Sequence, residues 1–347
     1  MKIRLLIRYF GSALESLNVS ADILAELPGF GPKLVAAVSG WKNNNAWKQD
    51  LELAEKYGVK LIPYTSPHYP KRLLDIVDYP ALLYVKGTLD KADGRSIAIV
   101  GTRHASIYGM EMAEKFAKDL AASQITVISG LARGIDTAAH QGALQAGRTL
   151  AVIGSGLACL YPQENNQLAE AIFTKGAVIS EFPMATLPDR CNFPQRNRIV
   201  SGMAKGTLLI EAPLRSGAMI TMSKALTQKR ELFVLPGPID NENFQGNHQL
   251  IKERKAQLVD HPKDIIGSFE NLFCHREHSS LIHQDLETLE PEEKKFLSML
   301  PREELVIDDI IKITKLPMMK INVLLMSLVL KQCVKEFPGK IYRKTYR

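Results

Sequence analysis

The segment NFPQRNRIVSG, residues 192–202, combines an aromatic ring with guanidinium groups. A flat ring can stack on an unpaired base for roughly 1–3 kcal/mol, and guanidinium groups bind phosphate through paired N–H donors. Because a proline follows Phe193, we expect an extended backbone and a ring that projects from a loop. A core phenylalanine beside solvated arginines is the alternative. The predicted nucleic-acid contacts in and just before this segment are Arg190, Phe193, Arg196, Asn197 and Arg198.

Three further loops carry small residues where an apolar run ends and a helix is predicted to begin. The start of a helix offers free backbone N–H groups and a partial positive charge, which favour a phosphate. For the first of these loops, an ordinary capping loop with a solvated arginine is the alternative. The predicted anion contacts are Gly101, Thr102, Arg103 and Ser106 in the first loop, Ser129, Gly130, Arg133 and Gly134 in the second, and Ser216 and Gly217 in the third.

Other polar residues give weaker indications of chemistry. Asp136 and His140 have a spacing that suits a metal or an acid–base pair, but no third ligand is nearby, so we predict structural roles. Glu211 is predicted to pair with a local arginine, with a catalytic carboxylate as the alternative. The cysteine and histidine tract at 274–283 matches no zinc spacing. GxGxxG and GxxxxGK[ST] motifs are absent from the sequence, so neither a metal nor a cofactor is predicted.

Short apolar runs alternate with helix-length segments between residues 96 and 259. Strands of continuous apolar residues are buried on both faces, and their alternation with helices requires crossover connections. The pattern predicts an α/β fold with a Rossmann-like, doubly wound and mostly parallel sheet. Such sheets bind ligands at the carboxyl ends of their strands, where the loops described above are expected to lie.

The regions that flank this predicted sheet differ from it in pattern. Residues 1–65 show helical periodicity around LPGFGPK, a segment typical of a helix-hairpin-helix. In this segment we predict a secondary DNA contact, through phosphate, at Gly29, Gly31 and Lys33. A bare turn that only joins two helices is the alternative. Helices followed by two short strands favour a C-terminal winged helix. The predicted organisation is a helical domain at 1–65, a connector at 66–95, the Rossmann-like domain at 96–266, a linker at 267–290 and the winged helix at 291–347.

The composition limits the class of protein further. A formal net charge of +7 over 347 residues favours an anionic partner. The four cysteines are dispersed and form no CxxC pair, which fits a reducing compartment. No window has the roughly 20 uninterrupted apolar residues that span a bilayer. We therefore expect a cytoplasmic protein without a membrane partner.

The order of these motifs resembles the DNA-processing protein A (DprA/Smf) family. The resemblance implies a non-catalytic protein that binds single-stranded DNA, often as a homodimer, and helps to load the RecA recombinase during DNA uptake, transformation and recombination. It carries the family's basic pocket onto Arg103 and onto the residues predicted between 190 and 198. His104 and His248 depart from the arginine and asparagine that the family usually has. The matching segments are VGTRHASIYG, SGLARGIDTAAHQGAL, GSGLACLYPQEN, SEFP, FPQRNRIVSG, EAPLRSGAMIT and VLPGPID.

Two other functions are weighed against this one. A nucleotide-processing enzyme of the phosphoribohydrolase type would have a related Rossmann-like domain, but it is expected to carry a PGGxGTxxE loop where this chain has PLRSGAMIT. A duplex-specific regulator that acts through its winged helix is the third possibility, and the terminal region offers few base-reading side chains for it.

Overall fold

The computed structural model divides the chain into two compact units, Met1–Ile266 and Gly267–Arg347. None of the helices it describes is both long and apolar enough to cross a membrane. The cysteine and histidine tract at 274–283 lies outside the described residues. Those described are 2–268, 290–301, 305–331, 333–337 and 340–344.

The first unit begins with five short helices. Ser12 starts the second of them by accepting a hydrogen bond from Glu15 N, and Gly31 with Pro32 starts the fourth, as expected from the missing N–H of proline at a first helical position. Leu24 and Phe30 belong to a small apolar core between these helices. The helices are α1 (Lys2–Phe10), α2 (Ala13–Leu17), α3 (Ala21–Ala25), α4 (Pro32–Ser39) and α5 (Ala46–Lys56).

A nine-stranded sheet forms the centre of the first unit, with strand order β1-β2-β6-β5-β4-β3-β7-β8-β9. The seven strands from β3 to β9 are parallel, and β3 to β7 are buried along their whole length. The predicted mostly parallel α/β sheet is therefore confirmed. The strands are β1 (Lys60–Pro63), β2 (Leu82–Gly87), β3 (Ser96–Val100), β4 (Thr126–Ser129), β5 (Thr149–Ile153), β6 (Ala177–Ser180), β7 (Gly206–Leu209), β8 (Glu231–Val234) and β9 (Gln257–Leu258).

Strands β1 and β2 were not predicted from the sequence. They extend one edge of the sheet in antiparallel pairing, with Tyr84 opposite Ser180. Both are short and lie in a segment punctuated by prolines, so the sequence is interpreted there as a connector although β2 contains the apolar run LLYV.

Six helices follow or connect the parallel strands, and the connections reverse direction at the centre of the sheet. From β3 the chain builds outward to β6 on one side and then returns to place β7 on the other side of β3. The loops after β3 and β7 are joined where Thr102 N donates to Glu211 O at 2.7 Å. A reversal of this kind opens a crevice for ligand. The helices are α6 (Ile107–Ala122), α7 (Ile135–Ala146), α8 (Asn166–Lys175), α9 (Asn192–Met203), α10 (Gly217–Thr227) and α11 (Gln245–Lys252).

The second unit has its own apolar core, which includes Phe296, Ile321 and Leu325. Three strands among the described residues of this unit form an antiparallel sheet of order β10-β12-β11. One helix, one strand, two helices and a hairpin follow each other in the order expected of a winged helix, and that assignment stays a prediction. The elements are α12 (Pro291–Met299), β10 (Leu305–Val306), α13 (Ile307–Thr314), α14 (Met318–Leu330), β11 (Val334–Phe337) and β12 (Ile341–Lys344).

Candidate nucleic-acid interface

A cavity of about 560 Å³ lies at the carboxyl ends of β3, β4 and β7. We call it the switch-point pocket. Its wall includes residues from all three predicted anion loops and from α9, which are distant in sequence and meet only because parallel strands end at the same edge of the sheet. The predicted residues that line it are Gly101, Thr102, Arg103, Gly130, Arg190, Phe193, Arg196, Asn197, Ser216 and Gly217.

Phe193 does not lie in an extended loop, and that prediction is wrong. Helix α9 begins at Asn192, so Phe193 and Pro194 belong to its first turn. Proline is compatible with this position because the first N–H groups of a helix have no partner within it. The Phe193 ring is half-buried at the pocket wall. Its centroid lies 5.0 Å from the guanidinium carbon of Arg103 and 6.1 Å from the centroid of the Tyr161 ring.

Arg196 forms the deep wall of the pocket, and only 4% of its surface is exposed. Its Nη1 donates to the carbonyl of Val152, while its Nε is buried without a hydrogen-bond partner among the described residues. The buried carboxylate of Asp136 lines the same pocket and supplies opposite charge. Burial lowers the pKa of Arg196 to about 10 and raises the pKa of Asp136. Both side chains are held out of water, and this burial is the cause of both shifts.

Asp136 also organises the loop after β4. Its Oδ2 accepts hydrogen bonds from Gly130 N at 3.1 Å and from Ala132 N at 3.3 Å. His140, one turn further along α7, is fully buried, and its Nδ1 lies 2.7 Å from Thr149 Oγ1. Burial, assisted by the positive charge of Arg196, lowers the pKa of His140 to about 3. These contacts agree with structural roles for both residues.

Glu211 does not pair with an arginine, in contrast to the prediction from the sequence. Its buried carboxylate accepts hydrogen bonds from the backbone N–H of Ser106 and, at 2.7 Å, from the Ser106 hydroxyl. Ser106 in turn accepts a hydrogen bond from Gly109 N and so starts α6. The N-terminus of a helix carries a partial positive charge that stabilises a carboxylate. The start of α6 therefore takes the place of the arginine that was expected to pair with Glu211.

Three arginines at the pocket are exposed and available for a ligand: Arg103, Arg190 and Arg215. None of them has a hydrogen bond or an ion pair with another residue in the described part of the chain. Arg215 was not among the predicted contacts, although it directly precedes Ser216, which starts α10 by accepting from Met219 N. A cation next to the first residue of a helix is the signal that would have identified it.

Five predicted residues lie outside the lining of the switch-point pocket. Arg198 pairs with Glu181 and lies 3.5 Å from Asp78, while Arg133 pairs with Glu164 beside a small adjoining cavity. The remaining three support the loops: Ser106 and Gly134 stand at the starts of α6 and α7, and Ser129 Oγ donates to Ile99 O at 2.7 Å.

The N-terminal hairpin places its predicted residues at the start of α4. Gly29 has a φ of +76°, a conformation that favours glycine, and its carbonyl accepts a hydrogen bond from Lys2 Nζ at 2.7 Å. Gly31 directly precedes α4, and Lys33 is exposed in its first turn. Their role as a DNA contact stays a prediction. Within the described ranges, no group of three or more His, Cys, Asp or Glu side chains is placed to hold a metal.

The sheet and pocket together define a Rossmann-like α/β protein with a cationic ligand site at the point where the strand order reverses. The chain belongs to the family of DNA recombination-mediator protein A, whose profile matches residues 60–270.

Individual relatives show the same relationship. Protein Smf of Escherichia coli strain K12 is 45% identical over 212 residues, which are 60% of this chain and 56% of that protein, so the chain matches little more than half of its length. The X-ray structure of DprA from Streptococcus pneumoniae has a TM-score of 0.67 and 34% identity, and covers 76% of this chain and 91% of that one. The structure of DprA from Helicobacter pylori, reported for its single-stranded DNA binding mode, has a TM-score of 0.56 and 26% identity. The match covers 62% of this chain and 97% of that one.

Proposed function

We propose that this protein binds single-stranded DNA without cleaving it and mediates recombination by helping to load the RecA recombinase onto that DNA. The observation that carries the proposal is the combination, in one open crevice, of a half-buried aromatic ring with three exposed arginines that form no hydrogen bond or ion pair among the described residues. Phosphates bind to Arg103, Arg190 and Arg215, while a base stacks on Phe193.

The pocket geometry favours an unpaired strand over a duplex. Phe193 lies within the wall of a concave cavity, so a base must leave its stack to contact the ring. The start of α10 offers a further phosphate contact, because Ser216 and Gly217 line the cavity and the first N–H groups of a helix are free. A duplex would present its backbone to the rim and gain no stacking.

The carboxylates around the pocket support binding rather than catalysis. Asp136 accepts two backbone hydrogen bonds beside Arg196, and Glu211 is engaged by Ser106. A general base needs access to its substrate, and both groups are buried and already bonded. The alternative, a nucleotide-processing enzyme, would place a free nucleotide in the same cavity.

The recombinase, the homodimer and the cytoplasmic location enter this proposal through family membership. Transfer of RecA is tested by adding the purified recombinase to single-stranded DNA that is covered by a single-strand-binding competitor. The protein is expected to accelerate RecA filament formation, and a variant with Arg103 and Arg190 changed to glutamine should not. Equal acceleration by both proteins would contradict a role for the pocket in mediation.

Binding itself is tested by comparing oligo-dT, duplex DNA and free nucleotides at two salt concentrations. We expect oligo-dT to bind more tightly than the duplex and to weaken as salt rises. Tight binding of a free nucleotide together with its turnover would favour the enzyme, and equal affinity for duplex and single strand would contradict selective recognition.

A further inference from the structure

Two tryptophans lie side by side on the helical part of the first unit, and they are the only tryptophans of the chain. Their ring centroids are 6.3 Å apart and their planes are inclined by 52°. Trp41 is half-buried and its Nε1 donates to Leu17 O at 3.0 Å, which holds the ring in place. Trp47, in the first turn of α5, is 44% exposed. The exposed Trp47 ring thus lies beside a Trp41 ring that is anchored by a hydrogen bond.

The charge around these rings is positive. Lys42 Nζ lies 5.8 Å from the Trp41 centroid and Lys48 Nζ lies 5.5 Å from the Trp47 centroid. Neither lysine has an ion pair among the described residues. The nearest acidic residue in sequence, Asp50, is turned into the protein, where it accepts hydrogen bonds from Tyr84 OH at 2.5 Å and from Met184 N at 2.6 Å.

Exposed amides complete this surface. Residues 43–45 are three consecutive asparagines between the two tryptophans, and all are exposed. Asn44 Oδ1 accepts a hydrogen bond from the backbone N–H of Ala46, the first residue of α5. Amide side chains of this kind bind phosphate oxygens or base edges. We call the surface of Trp41, Lys42, residues 43–45, Trp47 and Lys48 the tryptophan face.

We propose that the tryptophan face is a second contact site for single-stranded DNA, an inference that rests on the proposed function of the switch-point pocket. Rings that accept stacked bases beside cations that neutralise phosphates are the composition of a single-strand groove. A lipid surface would also contact tryptophan and lysine, and vesicle binding distinguishes it from DNA.

The position of Asp50 favours DNA as the occupant. Asp50 lies one helical turn after Trp47 and bonds the backbone of Met184, which belongs to the loop that follows β6. The same loop continues to Arg190 at the switch-point pocket. Arg190 lies six positions after Met184 in the sequence, so their Cα atoms are at most roughly 20 Å apart. A strand that leaves the pocket beside Arg190 therefore reaches the tryptophan face within a few nucleotides.

Two linked contacts predict a dependence on strand length. A short oligo-dT of about 4 nucleotides fills only the pocket, whereas one of about 16 nucleotides or more engages both surfaces and gains from the high effective concentration of the second contact. Trp47→Ala should lower the affinity for the long oligo-dT about 5-fold to 100-fold and leave the affinity for the short oligo-dT unchanged. Trp47→Phe should restore most of the affinity because it keeps an aromatic face. Tyr9→Ala, at another exposed aromatic on α1, is the matched control and should alter neither.

Intrinsic fluorescence of the full chain gives the decisive readout, because every tryptophan belongs to the tryptophan face. Titration with the long oligo-dT should quench the emission in step with the rise in anisotropy of a labelled strand. Unchanged emission while the anisotropy shows saturation would overturn the second site but leave the pocket intact. No binding in either readout would overturn the proposed function as well. A blue shift with phosphatidylglycerol vesicles, together with no quenching by DNA, would assign the face to a lipid surface instead.

Discussion

The guanidinium carbon of Arg103 lies 5.0 Å from the centroid of the Phe193 ring. Arg103 follows β3 and Phe193 lies in α9, so the contact joins two elements at the reversal of strand order. A cation over a ring keeps both side chains at the pocket wall and is worth about 0.5–1 kcal/mol at an exposed site. One nucleotide can therefore stack its base on Phe193 while its phosphate binds Arg103.

Removal of the Phe193 ring should therefore weaken binding of a single strand. We expect Phe193→Ala to reduce the affinity for oligo-dT by roughly 1–3 kcal/mol and to change duplex affinity little, because only an unpaired base stacks on the ring. The measurement is fluorescence anisotropy with both DNA forms. Phe173→Ala is the matched control, since Phe173 is also half-buried with a cation, Lys86 Nζ, 4.2 Å from its centroid but lies outside the pocket. Unchanged affinity in Phe193→Ala would exclude stacking.

Arg196 and Asp136 should behave as one buried pair. Arg196→Met leaves the Asp136 carboxylate buried without its counter-charge, and we expect a loss of about 3–5 kcal/mol in the free energy of unfolding. Adding Asp136→Asn should recover part of this loss, so the two costs are less than additive. Urea unfolding of the four proteins of the cycle measures the coupling. Additive losses would show that the two charges do not interact.

Two pocket glycines should respond differently to an added methyl group. At Gly130 a Cβ would lie 2.6 Å from both Arg196 Cζ and Asp136 Oδ2, so Gly130→Ala should cost about 1–3 kcal/mol of stability and disturb the deep wall. At Gly217 no atom lies within 4 Å of the added group, so Gly217→Ala should change stability by less than about 1 kcal/mol. Thermal unfolding compares them, and equal destabilisation would contradict the described packing.

Stability should fall at acid pH because of His140. Its pKa is about 3 in the folded protein and near 6.5 in the unfolded chain, so between these values only the unfolded chain binds the proton. The contribution of His140 to the free energy of unfolding is complete above pH 6.5. It falls by about 1.4 kcal/mol per pH unit as the pH decreases toward 3. The raised pKa of Asp136 acts in the opposite direction, because the folded protein then holds that proton more firmly.

Comparison of the wild type with His140→Gln isolates the imidazole, since Asp136 is present in both proteins. The free energy of unfolding is measured by urea titration at several pH values. The wild type should lose stability more steeply below pH 6.5 than the variant. Parallel pH profiles would contradict a neutral, buried His140.

The sequence predicts the sheet well because five of its strands are buried on both faces and read as continuous apolar runs. It also identifies most of the pocket wall, since loops after parallel strands meet at one edge. The sequence does not reveal ion pairs between distant elements. Arg198 and Arg133 are residues of the type that binds phosphate, but Arg198 is neutralised by Glu181 and Arg133 by Glu164. Pro194 suggested an extended chain at Phe193, whereas proline is also tolerated in the first turn of a helix.

The salt dependence of oligo-dT affinity tests the central claim most directly. Each phosphate neutralised on a single strand contributes a slope of about −0.7 to the plot of log affinity against log salt. Changing Arg103, Arg190 and Arg215 together to glutamine should weaken binding and reduce the magnitude of the slope by about 2. The matched control changes the exposed Lys91, Lys115 and Lys118, which lie outside the pocket lining, and removes the same charge. A triple-arginine variant with the slope and affinity of the wild type would contradict a DNA site at the switch-point pocket.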